Sequence, residues 1–274
     1  MIRFPNAKIN LGLDVVRKRT DGYHDLSTLF YPIPLKDIVE IVENGKPSGA
    51  TLYVTGNAID CPAEKNLVVR AYNMMNLCVD LPGVDIHLHK AIPDGAGLGG
   101  GSADASNVLL ILNDMFNLGK DKDELALLAS TLGADCPFFI YNTPQLASGI
   151  GDVFTPVDLD LKGRCLLLIK PDVYISTKLA YSKVTPEEPQ LKICDIVSRP
   201  IEQWKGLLKN DFEVSVFDEF AELEQIKTAL YDNGALYASM SGSGSSMFGI
   251  FADKEQAEKA SEQFAYEQKY ILDL

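Results

Sequence analysis

Cysteine is sparse in this chain of 274 residues: Cys61, Cys78, Cys136, Cys165 and Cys194 are the whole complement, and no Cys-x-x-Cys pair occurs. An odd count without that spacing points to reduced, packed thiols in a cytosolic protein and away from a disulfide framework. Positive charge is also scarce. Against 38 Asp and Glu stand 25 Lys and Arg, a formal net charge of −13. Such a chain lacks the positive field that non-specific nucleic-acid binding requires. No uninterrupted apolar run reaches the ~18 residues of a membrane span, and the first residues lack the apolar stretch of a signal peptide. The expectation is a soluble, cytoplasmic protein with neither nucleic acid nor membrane as partner. Internal repeats and low-complexity tracts are absent. What remains is 46% hydrophobic and 23% charged, ordinary for a globular protein and enough for one large domain or two modest ones.

Apolar residues alternate from Ile9 to Val15, the period of a half-buried strand. Further strands are predicted at Leu26–Tyr31, Ile38–Val42, Thr51–Val54, Val84–His89, Pro137–Tyr141 and Cys165–Ile169. A strand–loop–strand unit follows over Leu236–Phe251, and a last strand at Tyr270–Leu274. Helices are predicted at Leu67–Val79 with Asn66 as N-cap, at Ser102–Asn117, and at Lys122–Leu132 with Gly133 as C-terminal cap. Others are predicted near Pro200–Leu208, at Glu219–Asn233 and at Lys254–Phe264. The pattern restarts after Pro156, so a domain boundary is placed there, between 1–155 and 156–274. Strands and helices mix without regular alternation, which favours α+β over a doubly wound parallel sheet.

The segment Pro93-Asp94-Gly95-Ala96-Gly97-Leu98-Gly99-Gly100-Gly101-Ser102-Ala103 carries the strongest chemical signal. Phosphate oxygens need several donors in a small volume; glycine lets the backbone approach, and a helix start adds free N–H groups and a favourable dipole. Walker A is excluded, because Gly101 and not lysine follows Gly100. Gly95-x-Gly97-x-x-Gly100 matches the short dinucleotide fingerprint. The acidic residue that fingerprint wants is missing, since Asp114 falls inside the helix and Asp121 opens the next. An oxidoreductase is therefore the weaker alternative to a phosphate loop that draws its lysine from elsewhere in the chain.

Three segments together resemble the GHMP kinase superfamily. The first is Ala7-Lys8-Ile9-Asn10-Leu11, with Arg19-Thr20-Asp21-Gly22-Tyr23-His24 after it. The second is the glycine loop, followed by Leu132-Gly133-Ala134-Asp135-Cys136-Pro137-Phe138-Phe139; the third is Met240-Ser241-Gly242-Ser243-Gly244-Ser245. Asn66-Leu67-Val68-Val69-Arg70-Ala71 and Gly149-Ile150-Gly151 add to the likeness, which spans nearly the whole chain. The Asp-Gly-Tyr-His element is similar to that of the superfamily branch whose substrate is a cytidine-diphosphate-linked methylerythritol. The resemblance implies an ATP-binding N-terminal domain, a ferredoxin-like C-terminal domain and a site in the cleft between them. The implied reaction is transfer of the γ-phosphoryl of ATP to the 2-hydroxyl of that substrate, in the non-mevalonate route to isoprenoid precursors. Kinases of other small alcohols, homoserine or mevalonate, are the alternative that Tyr23 and His24 argue against.

The residues taken alone leave two readings of Asp135 open, a turn carboxylate bonding its own backbone or a group that accepts the proton of an attacking hydroxyl. The resemblance selects the second and places Lys8 beside it. Asn10 shares the strand face of Lys8 and becomes a substrate contact by resemblance. Likewise His24 reads the edge of the cytosine while Tyr23 and Tyr181 stack on its faces, with Phe30, Ile150 and Thr177 at matching pocket positions. Asn66 and Lys90 border the adenine or are no more than a helix cap and a surface lysine. Ser241 and Gly242 close over phosphate or form a plain hairpin. His87 and His89 share a face but lack a third ligand, so no protein metal site is expected. Cys136, read as a strand residue, should point away from Asp135 and simply pack. ATP brings Mg²⁺; in superfamily relatives a serine of the loop helps hold it. The family often has a second serine where this chain has Ala103, which leaves Ser102, with Asp104 as an acidic neighbour. The expected assembly is a monomer or weak homodimer.

Overall fold

The chain opens on a short strand, β1 (Ile2–Arg3), and two strands of 13 residues each, β2 (Asn6–Lys18) and β3 (His24–Lys36). The alternation in β2 predicts one buried face. Both faces are in fact buried from Ala7 to Leu13, and the second carries Lys8, Asn10 and Gly12. The computed structural model describes residues 1–59 and 61–274. Its chain separates into two compact units that interleave: the first comprises Met1–Ala7, Leu35–Asp94 and Gly99–Thr143, the second Lys8–Pro34, Gly95–Leu98 and Pro144–Leu274.

The first unit holds β1, β4 (Ile38–Glu43), β5 (Ala50–Gly56) and β6 (Val84–Lys90) in the order β1-β4-β6-β5. β5 and β6 run parallel, joined through α1 (Leu67–Cys78), since a parallel pair needs a crossover. Asn66 caps α1 by accepting from the Val68 N–H at 3.1 Å. The helices α2 (Gly100–Met115), α3 (Lys122–Ser130) and α4 (Cys136–Tyr141) complete the unit. Tyr72 and Met75 of α1 pack with Val108, Leu109 and Leu112 of α2 and with Ile86 of the sheet in one buried core. Each such side chain contributes about 1.5–3 kcal/mol on leaving water. Asp121 and Glu124 form a reciprocal capping box at the start of α3.

The second unit contains two sheets. β2-β3-β7-β8, with β7 (Gln145–Ser148) and β8 (Val153–Pro156), is one. After β9 (Cys165–Ile169) come the short helices α5 (Thr177–Ala180) and α6 (Ile193–Val197), then α7 (Glu213–Glu219) and α8 (Ala221–Asp232). β10 (Tyr237–Met240), β11 (Met247–Phe251), α9 (Lys254–Ser261) and β12 (Lys269–Asp273) end the chain. The sheet order β10-β11-β9-β12, antiparallel throughout, is the ferredoxin-like arrangement. The α+β class expected from the sequence holds.

Several elements differ from expectation. Pro137–Tyr141, predicted as a strand, lies in helix α4. Proline is at home in a first helical turn, where its missing N–H is not needed, and five successive buried residues hide the helical period. Cys136 therefore opens a helix and does not alternate with Asp135 as in a strand, although it is fully buried as expected. Pro200–Leu208 forms only a 3₁₀ turn at Ile201–Gln203. Ile201, Trp204 and Leu208 have helical spacing but bury themselves from turns. The helix predicted at Glu219–Asn233 starts at Ala221 after a break at Phe220, whose ψ is 74°. Gly133 does not cap α3 in a left-handed conformation; Thr131 ends that helix.

Candidate active site

In the second unit, Lys8 is 3% exposed on β2. Its Nζ donates to Asn10 Oδ1 at 2.7 Å and to Gly97 O at 3.0 Å, and it lies 4.6 Å from the centre of the Phe30 ring. Asn10 Nδ2 donates to Thr28 Oγ1 at 2.8 Å, and Thr28 donates to Gly12 O. Ser241 Oγ donates to Gly97 O at 2.9 Å and accepts from the Asn10 N–H at 3.3 Å. The second unit thus gathers Lys8, Asn10, Gly97, Ser241 and Gly242. Gly97 has φ +74°, and a Cβ there would fall 2.0 Å from Ser241 O; only glycine permits that approach.

The nucleoside-reading residues of the sequence analysis lie in the same unit. The rings of His24 and Tyr181 stack with centroids 4.7 Å apart, and Tyr181 meets Phe212 edge to face at 4.7 Å. Tyr23, next to His24 in sequence, is 61% exposed, its N–H held by Asp21 at 3.0 Å. Phe30 is buried and packs against Phe154. The Ile150 N–H is held by Asp152, and Thr177 opens α5 behind its N-cap Ser176.

In the first unit, Gly99 forms the N-cap of α2 in the left-handed region. The first-turn N–H groups of that helix have no partner within the helix and form a natural anion seat. A Cβ on Gly101 would meet only Leu67, at 3.8 Å, so space lies open beside this backbone. Donors and room together fit a phosphate chain. Asp135 stands at the N-cap of α4 and makes no capping bond to that helix. Ser106 Oγ of α2 donates to Ser102 O at 2.8 Å and to Cys136 O at 2.7 Å. The start of α4, with Asp135, is therefore packed on the first turns of the glycine-loop helix. Burial pushes the Cys136 thiol up to about 11, with the Asp135 charge adding to it, which makes it a poor nucleophile.

Lys90 is not a surface lysine; it is 4% exposed. Its ammonium is bonded to Asp37 and, at 2.8 Å, to Asp104. Asp37 also accepts from the Ala91 and Ile92 N–H groups at 2.6 and 2.8 Å. Burial pulls the Lys90 pKa down, and the charges of Asp104 and Asp37 more than offset this. Asp104 is raised, because burial outweighs the nearby ammonium. Asp104 is thus committed to Lys90. Asp37 was missed by sequence reasoning; its partners Lys90, Ala91 and Ile92 lie far along the chain, which leaves no local signal. His87 stacks on Tyr53, and His89 pairs with Thr55. Among the described residues, no group of three or more His, Cys, Asp or Glu is placed to hold a metal ion, and no helix is long and apolar enough to cross a membrane.

Residues 66–143 match the GHMP kinases N terminal domain, and residues 196–269 match the GHMP kinases C terminal domain. The 4-diphosphocytidyl-2-C-methyl-D-erythritol kinase of Parabacteroides distasonis is 55% identical over 251 residues, 92% of each chain. The chain belongs to this branch of the GHMP kinases. The enzyme of the same name from Bacteroides fragilis is 51% identical over 267 residues, 97% of each chain. A crystal structure of 4-(cytidine 5'-diphospho)-2C-methyl-D-erythritol kinase superposes with a TM-score of 0.83 at 34% identity, covering 99% of this chain and 98% of that one. A mevalonate kinase at 13% identity (TM-score 0.73) shares the fold alone. As a GHMP kinase, the protein uses ATP and acts on a small molecule.

Proposed function

We propose that this kinase transfers the γ-phosphoryl of ATP to the 2-hydroxyl of 4-diphosphocytidyl-2-C-methyl-D-erythritol, a step toward isoprenoid precursors, in the cytoplasm. The observation that carries this reading is the packing of the Asp135 helix on the first turns of α2 through Ser106 and Cys136. It supports a carboxylate working beside the phosphate loop, the pairing that transfer to an alcohol needs. Asp135 accepts the hydroxyl proton or orients the hydroxyl. Lys8 offsets charge on the phosphoryl group, and Asn10, Ser241 and Gly242 border the methylerythritol diphosphate.

Cytosine joins the Tyr23, His24 and Tyr181 rings, with the His24 nitrogens on its edge and Phe30, Ile150 and Thr177 lining the pocket. Phosphates lie along 93–103 on backbone donors. Lys90 and Asn66 border the adenine through backbone and side-chain stems, because their polar heads are engaged. Mg²⁺ supplies charge neutralisation on the phosphates when bound, with Ser102 as its protein partner. We also infer a division of the sequence into functional halves at 155/156, and a monomer or weak homodimer.

The test is ADP release with the cytidine substrate, homoserine, mevalonate and water as acceptors. The cytidine substrate should dominate; ADP release no greater than with water, while homoserine or mevalonate is turned over, overturns the assignment. Asp135→Asn should lose about 10²–10⁴ in kcat. Near-normal turnover in a folded variant removes Asp135 as the base.

A further inference from the structure

The segment Asn210-Asp211-Phe212-Glu213 belongs to none of the family motifs recognised in the sequence, yet the second unit is tied together through it. Asn210 is 3% exposed. Its Nδ2 donates to Met240 O at 2.9 Å and to Gly242 O at 2.8 Å, while its Oδ1 accepts from the Phe212 N–H at 3.0 Å. Both amide donors are thus spent on the entry to the second glycine loop. Glu213 holds the same entry from the other side, accepting from the Met240 N–H at 2.9 Å and from Ser239. Asp211 fastens the segment to β2: its N–H donates to Leu13 O, and its carboxylate accepts from the Val15 N–H at 2.8 Å. Phe212 supports the Tyr181 ring, which stacks on His24.

We propose that Asn210 is a positioning residue for phosphoryl transfer, fixing the Ser241–Gly242 turn against Gly97 and Asn10, while Phe212 sets the aromatic stack that receives the nucleoside. The proposal rests on the functional reading above. It assigns the two neighbours different kinetic effects. Loss of the Asn210 donors takes a partner from Gly242 O and leaves Met240 O only its longer bond from Ser239; Ser241 is then freed from Gly97, so the reacting end is misplaced. Loss of the Phe212 ring frees Tyr181 at the nucleoside end.

The experiment compares the full-length wild type with Asn210→Asp, Asn210→Ser and Phe212→Leu, by ADP release and thermal melting. Asp keeps the shape and the acceptor for Phe212 but cannot donate; Ser is the second variant should Asp not fold. Folded Asn210 variants should lose about 10- to 100-fold in kcat with the KM of the cytidine substrate within about threefold, the size expected of misplaced reacting groups. Phe212→Leu should raise that KM about tenfold with kcat nearly kept. A kcat within about threefold of wild type in a folded Asn210 variant overturns the proposal. So does the same mixture of kcat and KM changes in both positions, which is what general loosening produces. Failure of both Asn210 variants to fold also overturns it, since Asn210 is then structural. Wild-type protein that prefers another alcohol defeats the substrate assignment alone, and the Asn210 comparison is then made with that alcohol.

Discussion

The two glycine loops, Gly95–Ser102 and Ser241–Gly244, share residue types and differ in what holds them. The first runs into α2, a helix of 16 residues, so its donors face outward from a helix start. The second joins two strands and turns its donors inward: Ser241 N–H bonds Ser246 O, and Gly244 N–H bonds Ser241 O. Glycine content alone does not make a phosphate cradle; the element that follows decides where the N–H groups point. The supports differ as well. Beneath the first loop lies a buried ion cluster, Lys90 with Asp37 and Asp104. The second hangs on the neutral amide of Asn210.

Breaking the charged support should have the largest effect. Lys90→Met leaves the Asp37 and Asp104 carboxylates buried without their cation, at a cost of about 3–5 kcal/mol in urea unfolding. A loss under ~1 kcal/mol would mean that the carboxylates reach water or protonate freely, and the contrast between the supports would fall. Gly97→Ala attacks the point where the loops meet. The new Cβ sits 2.0 Å from Ser241 O at φ +74°. Strain in the left-handed region and overpacking together predict about 2–3 kcal/mol lost, with a raised KM for ATP. An unchanged melting temperature would show that the loops separate at no cost.

Much of this was legible along the chain. Asn66 and Asp121 announce α1 and α3 because a cap acts on N–H groups two or three residues on, and the first loop announces itself by glycines before a helical period. Lys8 was legible as a lysine in an apolar strand. The supports were not. Asp37 holds Ala91 and Ile92, and Asn210 holds Met240 and Gly242; neither pairing leaves a local pattern, because the partners meet only through tertiary structure. Helix α4 was misread for another reason: when every residue of a short segment is buried, periodicity carries no information.

The last prediction sharpens the contrast between supports by pH. Asp14 lies on β2 between Leu13 and Val15, the residues that the Asn210 segment grips. Its Oδ2 is buried and has no hydrogen-bond partner. Burial first, and the Asp211 charge second, push its carboxyl up to about 7, with Lys209 pulling the other way; Asp211 is itself raised by burial, with Glu187 nearby. An acid that holds its proton more tightly when folded stabilises the protein at low pH. That stability is present below the unfolded value near 3.8, is lost as pH rises, and is gone above about 7. Asp14→Asn carries no charge to desolvate, so at pH 8 it should be more stable than the parent by about 1 kcal/mol, allowing for solvent screening of a partly exposed group. Most of that gain should vanish at pH 5. The check is a pair of melting curves at each pH. An equal gain at both would assign it to packing, and the support of the second loop would then be as indifferent to pH as its neutral amide suggests.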